Sequence, residues 1–372
     1  MEGLKCFFKK ETVFCISFIL ALASALIVRP DLAYLAYPDY RTLALLFCLM
    51  IIVAGFQSLG VFSILGQTLL KRAGSMRKLS ATMVILCFFC SMIITNDVTL
   101  ITFVPFTILV YHMIGKEERV LKLVVLETIA ANLGSMATPI GNPQNLYLYS
   151  ASGITLGQFA WAVLPYAGLA LVMLLAAVFA EKNEPILEEV DAGGQADIHK
   201  VLPETVPFLA LLLLCLLVVF RVFSYGPVLL CVAAVILIVN RKLFGSVDYF
   251  LLLTFVCFFI FIGNVKRIPE VSSLLVSAIQ GKELWAGILA SQVISNVPAA
   301  ILLAGFTEDF SVLLTAVNLG GLGTLVASLA SLISFKFFAK EYPGRKGAFM
   351  KVFTVWNLLF LLILAAAAMM LE

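Results

Sequence analysis

Two short polar clusters stand inside otherwise apolar sequence, Thr95-Asn96-Asp97-Val98 and Ser295-Asn296-Val297-Pro298. Hydroxyl and amide side chains are neutral. Their oxygens ligate a cation, and their O–H and N–H groups donate to an anion. Two further clusters combine the same groups with helix breakers. Thr138-Pro139-Ile140-Gly141-Asn142-Pro143-Gln144-Asn145 holds prolines, a glycine and three amides, so no continuous apolar helix passes through it. A half-helix is predicted to start at Pro143, where proline is tolerated. Its unpaired amides and dipole favour an anionic group, while carbonyls and hydroxyls of the unwound stretch before it suit sodium. Asn318-Leu319-Gly320-Gly321-Leu322-Gly323-Thr324 unwinds with glycine instead, and Ser328 and Ser331 follow on the next turns. This is the chemistry of reversible coordination.

Bond-making chemistry has no such candidate. His112 and His199 are the two histidines and lie far apart in sequence. Cys87 and Cys90 form a C-x-x-C, but inside an apolar run with no histidine near it, so they read as small packing residues. The eight cysteines show no secreted-type disulfide framework. No nucleophile–base pair, metal-ligand spacing or G-x-x-x-x-G-K-[ST] phosphate loop is visible. The expectation is a non-enzyme without a resident cofactor. Asp97 stands apart: a carboxylate at the bilayer midplane is costly and marks function. It could ligate sodium or carry a proton, and its counterpart in the second tip is Val297. Glu127, a turn or so into its span, reads as a structural group near the interface.

These clusters need a membrane around them. The chain has 372 residues, 62% of them hydrophobic and only 13% charged, with a mean hydropathy of +1.08. A soluble domain carries about 25% charge. The fold class expected is an all-α polytopic membrane protein. A net charge of +3 is too small to imply nucleic acid or another anionic polymer as a partner. Spans need about 20 apolar residues. They are expected at 12–28, 42–63 (followed by a short surface helix), 157–181, 204–221, 225–240, 248–265 and 352–371. Residues 283–307 read as a re-entrant hairpin. Residues 79–114, with longer arms, fit a tilted hairpin or two full crossings, and the match to the second half argues for the hairpin. Residues 120–151 and 310–335 read as broken helices. A polar linker, 182–202, separates the halves 1–181 and 203–372. The arms on either side of Ser295-Asn296 each span roughly 15 Å, half the hydrocarbon core, which puts this tip near the midplane.

With the N-terminus cytoplasmic, Arg29, Arg41, Arg221, Lys266, Arg267 and Lys282 fall outside. The rest of the 25 Lys and Arg fall inside, and the C-terminus ends outside. The halves echo each other. Asp39-Tyr40 and Asp248-Tyr249 open apolar spans that reach Gly55 and Gly263, and the tips and broken helices follow in the same order. Ala131-Asn132-Leu133-Gly134-Ser135 matches Val317-Asn318-Leu319-Gly320-Gly321. An odd number of crossings separates the copies, so the second is inverted, a transporter feature with the sites where broken helices meet.

With these residues in place, the sequence resembles the ion transporter superfamily of divalent anion/sodium symporters, citrate transporter-like permeases and arsenite permeases. The resemblance covers nearly the whole chain and is most specific at ATPIGNPQN (137–145) and SNVPA (295–299). It implies two inverted repeats, each giving a hairpin and a broken helix to a transport domain that slides like an elevator against a scaffold, as a homodimer. It implies substrate contacts from Asn96, Thr138, Gly141, Asn142, Pro143, Asn145, Ser295, Asn296, Val297 and Pro298. Ion coupling, by sodium at the two tips or by protons, falls to Thr95, Asn96, Asp97, Asn132, Ser135, Ser295, Asn296, Asn318, Gly323 and Thr324. The tips of dicarboxylate symporters typically read Ser-Asn-Thr; here they read Thr-Asn-Asp and Ser-Asn-Val, and the Asn-Asp pair is closer to the arsenite-permease and sodium/proton-antiporter branches. One or two N-terminal spans of longer relatives are not represented. The expectation is secondary active transport of a small anion such as citrate across a bacterial inner membrane. The rival is an arsenite or antimonite efflux permease or a sodium/proton antiporter. A channel or a non-transporting receptor is the rival from another class.

Overall fold

The computed structural model describes residues 11–61, 64, 74–186 and 198–371. The surface helix expected after the second span and most of the polar linker fall outside the described residues. The described residues form sixteen α-helices and no β-strand. Seven helices are long and apolar enough to cross a membrane. In chain order the helices are α1 Thr12–Ile27, α2 Tyr40–Ser58, α3 Met76–Ile94, α4 Asn96–Met113, α5 Val120–Ser135, α6 Pro143–Ser152, α7 Leu156–Phe179 and α8 Ile198–Val219. They continue with α9 Tyr225–Asn240, α10 Tyr249–Lys266, α11 Pro269–Ile279, α12 Glu283–Ile294, α13 Asn296–Ala304, α14 Phe310–Gly320, α15 Leu329–Glu341 and α16 Lys346–Leu371. Helix α11 has no counterpart among the expected elements. The last helix starts at Lys346, ahead of the expected 352, because a basic, amphipathic first turn extends the apolar span.

Local signals set several of these boundaries. Asp39 caps α2 by accepting from the Thr42 amide at 3.1 Å and its hydroxyl at 2.6 Å. Asp248 caps α10 by accepting from the Leu251 amide at 2.9 Å. Each carboxylate satisfies a donor that a helix start leaves unpaired. Thr155 and Gln158 form a reciprocal capping box at the start of α7.

The helices pack as two groups. In one, α3 lies on α4, α5 and α7, α12 lies on α13 and α14, and α15 and α16 close against α5. Helix α6 lies on α13 and α14. In the other group, α10 packs on α1, and α2 packs on α8, α9 and α10. The groups meet where α2 touches α6 and α10 touches α13. The outward faces are apolar: Leu230, Leu237 and Ile238 on α9 are largely exposed. Such a face is stable against lipid and not against water.

At one end of the first group, the chain leaving α7 is strapped across α3 and α5. Lys116 and Arg119 reach Glu184 at 2.6 and 2.7 Å, and Lys122 reaches Glu181 at 2.9 Å. The Lys116 hydrogen bond, helped by Arg119, holds the Glu184 carboxyl below the usual carboxylate range. Gly55 and Gly263 mark close approaches. A Cβ on Gly55 would lie 2.0 Å from the Phe208 ring of α8, and one on Gly263 would lie 2.5 Å from Tyr37. Gly55→Ala should therefore force the α2–α8 contact apart and destabilise the protein by about 1–3 kcal/mol. Gly168→Ala in α7, with nothing within 4 Å of its Cβ, should be neutral or stabilising. Thermal unfolding of the detergent-solubilised variants checks both.

Candidate functional site

The two tips are single-residue helix breaks with one geometry. Thr95 (φ 71°, ψ 156°) separates α3 from α4, and Ser295 (φ 73°, ψ 154°) separates α12 from α13. This region is essentially reserved for glycine and costs a side-chain-bearing residue of the order of 1–3 kcal/mol. Finding it at both tips argues that the surrounding structure holds it there. Asn96 and Asn296 then open the following helices and are buried.

The broken helices meet between the tips through a reciprocal exchange. Asn132, near the end of α5, accepts from the Ser328 hydroxyl at 3.0 Å and donates to Ser331 at 3.2 Å. Asn318, near the end of α14, accepts from Asn142 at 3.1 Å and donates to Asn145 at 2.6 Å. Positions 142 and 145 follow 132 as 328 and 331 follow 318. Each asparagine therefore bonds the equivalent pair in the other half. Asn96 joins by donating to Asn132 at 3.1 Å.

Each loop is pinned to the helix before its tip. The Thr138 hydroxyl donates to the Met92 carbonyl, and the Thr324 hydroxyl donates to the Gln292 carbonyl at 3.2 Å. Gly134 and Gly320 let the broken helices close on α3 and α12: an added Cβ would lie 2.7 Å from Ser91 Oγ and 2.6 Å from Ser291 Oγ, respectively. Gly141 lies so near the Ser135 carbonyl that a Cβ would approach to 2.1 Å. The Asn145 amide gathers the carbonyls of Ser135, Met136 and Thr138 at 3.0–3.3 Å. Pro143 takes the first position of α6. Its start is not left open: Asn142 Oδ1 accepts from the Asn145 amide at 2.9 Å, so one donor expected to face an anion is already satisfied.

Several polar groups keep capacity to bind. The Thr95 hydroxyl and the Asp97 carboxylate are half-buried and make no hydrogen bond or ion pair among the described residues. Gln144 is buried with its Oε1 unpartnered. Asn296 Nδ2 also lacks an acceptor among the described residues, and lies against Gly321. Val297 and Pro298 are buried beside it in the first turn of α13 and contribute shape. Thr324 and Gly323 face Gln292, and Gly323, at a φ of +103° that glycine adopts freely, leaves no room for a Cβ beside Gln292 Oε1.

Gln292 holds the second loop, donating to the Gly320 and Leu322 carbonyls at 2.8 and 2.9 Å and accepting from the Thr324 amide at 2.9 Å. A lone amide within one turn of Ser295 is the signal that could have found it. Glu127, read as a structural group, is fully buried within the protein in the middle of α5. Thr107 donates to its Oε1, and its Oε2 has no partner among the described residues.

A family model described as Citrate transporter matches residues 10–312. The match takes in the first loop and both tips and stops short of Asn318. The chain is 35% identical over 310 residues to the inner membrane protein YbiR of Escherichia coli, covering 80% of each chain. It is 30% identical over 333 residues to the uncharacterized transporter MJ0456 of Methanocaldococcus jannaschii, covering 89% of each. A shorter similarity, 32% over 179 residues, links it to the silicon efflux transporter LSI3 of Oryza sativa subsp. japonica, covering 46% of this chain and 36% of that one.

Asn132→Ala strips an acceptor from Asn96 and Ser328 and a donor from Ser331. It should cost about 1–3 kcal/mol. Combined with Ser328→Ala, it should be non-additive by about 0.5 kcal/mol or more. Denaturant unfolding of the two single variants and the double variant measures this coupling.

Proposed function

The chain belongs to the citrate transporter family, and we propose that it is a secondary active transporter of a small anion, a di- or tricarboxylate such as citrate, coupled to sodium or protons. It is a multi-pass membrane protein of transporter type, not an enzyme. The observation that carries the finer reading is the reciprocal asparagine exchange. It brings two helix breaks and two strained tips together and leaves neutral donors and acceptors unspent around them. Binding an anion among neutral dipoles needs compensating positive charge, and a co-transported cation held on hydroxyl and carbonyl oxygens supplies it. The matched order of caps, tips and breaks supports two repeats of opposite orientation. The grouping of helices supports an elevator in which α3–α7 and α12–α16 move against α1, α2 and α8–α10. The working unit proposed is a homodimer in a bacterial inner membrane. Its N-terminus is cytoplasmic and its C-terminus outside.

A second reading, export of a small inorganic acid such as arsenite or antimonite, or sodium/proton exchange, is favoured by one observation. Asp97 is half-buried with no hydrogen bond or ion pair among the described residues, and the second tip carries Val297 in its place. A free carboxylate at a tip would repel a carboxylate substrate unless a cation lies between them.

Uptake of labelled citrate into proteoliposomes separates the two. We expect accumulation with an inward sodium or proton gradient and none without. Asn296→Ala and Asn142→Ala should abolish it while remaining extractable as folded protein. No uptake under either gradient would overturn the carboxylate reading. Loss of proton-coupled exchange in Asp97→Asn, with no citrate flux in the parent, would establish the second.

A further inference from the structure

The first helix group and the second enclose a cleft of about 480 Å³, away from the asparagine cluster. It is lined by the start of α2, the far end of α6, the end of α10 and Gly305 after α13. Its charged side chains are Arg41, Lys266 and Asp39. Asp39 caps α2, its two oxygens accepting from the Thr42 amide and hydroxyl, and it remains the one negative charge of the lining. Arg41 uses one nitrogen on the Val218 carbonyl at 2.7 Å and the Val219 carbonyl at 3.3 Å, and keeps its charge. Lys266 is exposed and has no hydrogen bond or ion pair among the described residues. The neighbouring cation, Arg267, is neutralised by Asp31 at 2.8 Å. The cleft thus holds two cations, Arg41 and Lys266, against one carboxylate, Asp39, an excess of positive charge in a lining that includes Tyr147 and Ser150. Tyr147 lies on the same helix as Asn142, roughly 7 Å along its axis. The cleft therefore abuts the helix that leads to the asparagine cluster.

We propose that this cleft is a receiving site for a small multivalent carboxylate or oxyanion, which Arg41 and Lys266 concentrate beside α6 before it reaches the asparagine cluster. The proposal rests on the transport reading for what happens after binding, and on the cleft's own charge for the binding itself. A cleft walled by low-dielectric protein focuses the field of such charges. It is also the place where the two helix groups meet, so an anion held there lies on the seam along which they would move.

The test uses Ser150, which lines the cleft, is half-buried and makes no part of the asparagine cluster. In a Cys6→Ser/Cys90→Ser/Cys231→Ser background, which removes the exposed Cys231, the half-buried Cys90 and the Cys6 that lies outside the described residues, Ser150→Cys is reacted with an anionic and a cationic thiosulfonate in phosphatidylcholine vesicles. The anionic reagent should react faster. Lys266→Gln should lower the anionic-to-cationic rate ratio about threefold to tenfold. It should do so without disturbing the fold, since Lys266 makes no hydrogen bond or ion pair among the described residues and glutamine keeps most of its stem. Citrate should slow labelling, and potassium chloride should weaken the preference. An equal or faster cationic rate, a ratio unmoved by Lys266→Gln, or no reaction with either reagent would overturn the proposal. So would protection by anionic phosphatidylglycerol and not by citrate, which would assign the charges to a lipid headgroup. Failure of the parent chain to take up citrate, with the rate ratio and its loss in Lys266→Gln intact, would sink the citrate reading and leave the anion site standing.

Discussion

The side chains of Asn132 and Asn318 each accept one hydrogen bond and donate another across the same interface. A buried amide left unpaired costs about 1–3 kcal/mol in protein, and unpaired polar groups cost more in hydrocarbon. Four such bonds therefore decide where the two broken helices cross. They also explain why the breaks are tolerated. Residues 142 and 145 in one half, and 328 and 331 in the other, come from backbone that has already left its first helix. Their side chains satisfy the end of the opposite helix. Neither half could complete this arrangement alone.

The tips depend on the same crossing. Thr95 and Ser295 adopt a conformation that glycine would hold without strain, yet neither is glycine. Each keeps a hydroxyl at the turn, and the strain is offset by packing on both sides. Glycine is used one layer further out, at Gly134 and Gly320, where it brings each broken helix against Ser91 or Ser291. The division is physical: the hydroxyl is retained where a ligand could use it, and the missing Cβ is placed where backbones must approach.

The pattern of breaks was legible in the sequence because glycine, proline and asparagine are conspicuous in an apolar run. Asp39 and Asp248 were legible as span openings because helix starts in apolar sequence leave donors for a short carboxylate to cap. The partners were not legible. Nothing in the spacing of Asn132 says that it meets Ser328 and Ser331, because residues so far apart are joined only by tertiary packing. Gln292 was missed for a related reason: its amide serves a loop contributed by a different helix. The full burial of Glu127 was not legible either, because α5 is covered by α3, α4, α7 and α16, and cover from distant helices leaves no trace in local spacing. Helix α11 escaped because its composition is mixed enough to read as a connection.

The two halves match in skeleton and differ in charge, and the difference carries information that symmetry cannot. Asn132 engages Asn96, whereas the amide nitrogen of Asn296 is unengaged among the described residues. Asp97 opens the first tip, and Val297 fills the second. Glu127 sits in α5, and Leu313 occupies the corresponding place before Asn318. Two acids without a counterpart in the other half, Asp97 and Glu127, therefore belong to the first, and the Asn296 amide, unengaged among the described residues, belongs to the second. An anion is repelled from one side and offered hydrogen bonds from the other, while a cation has the opposite preference. On the proposed transport reading, this asymmetry would give the crossing a polarity, with the cation at Asp97 and the anion at Asn296. Co-binding of unlike ions would then need no fixed positive charge inside the membrane.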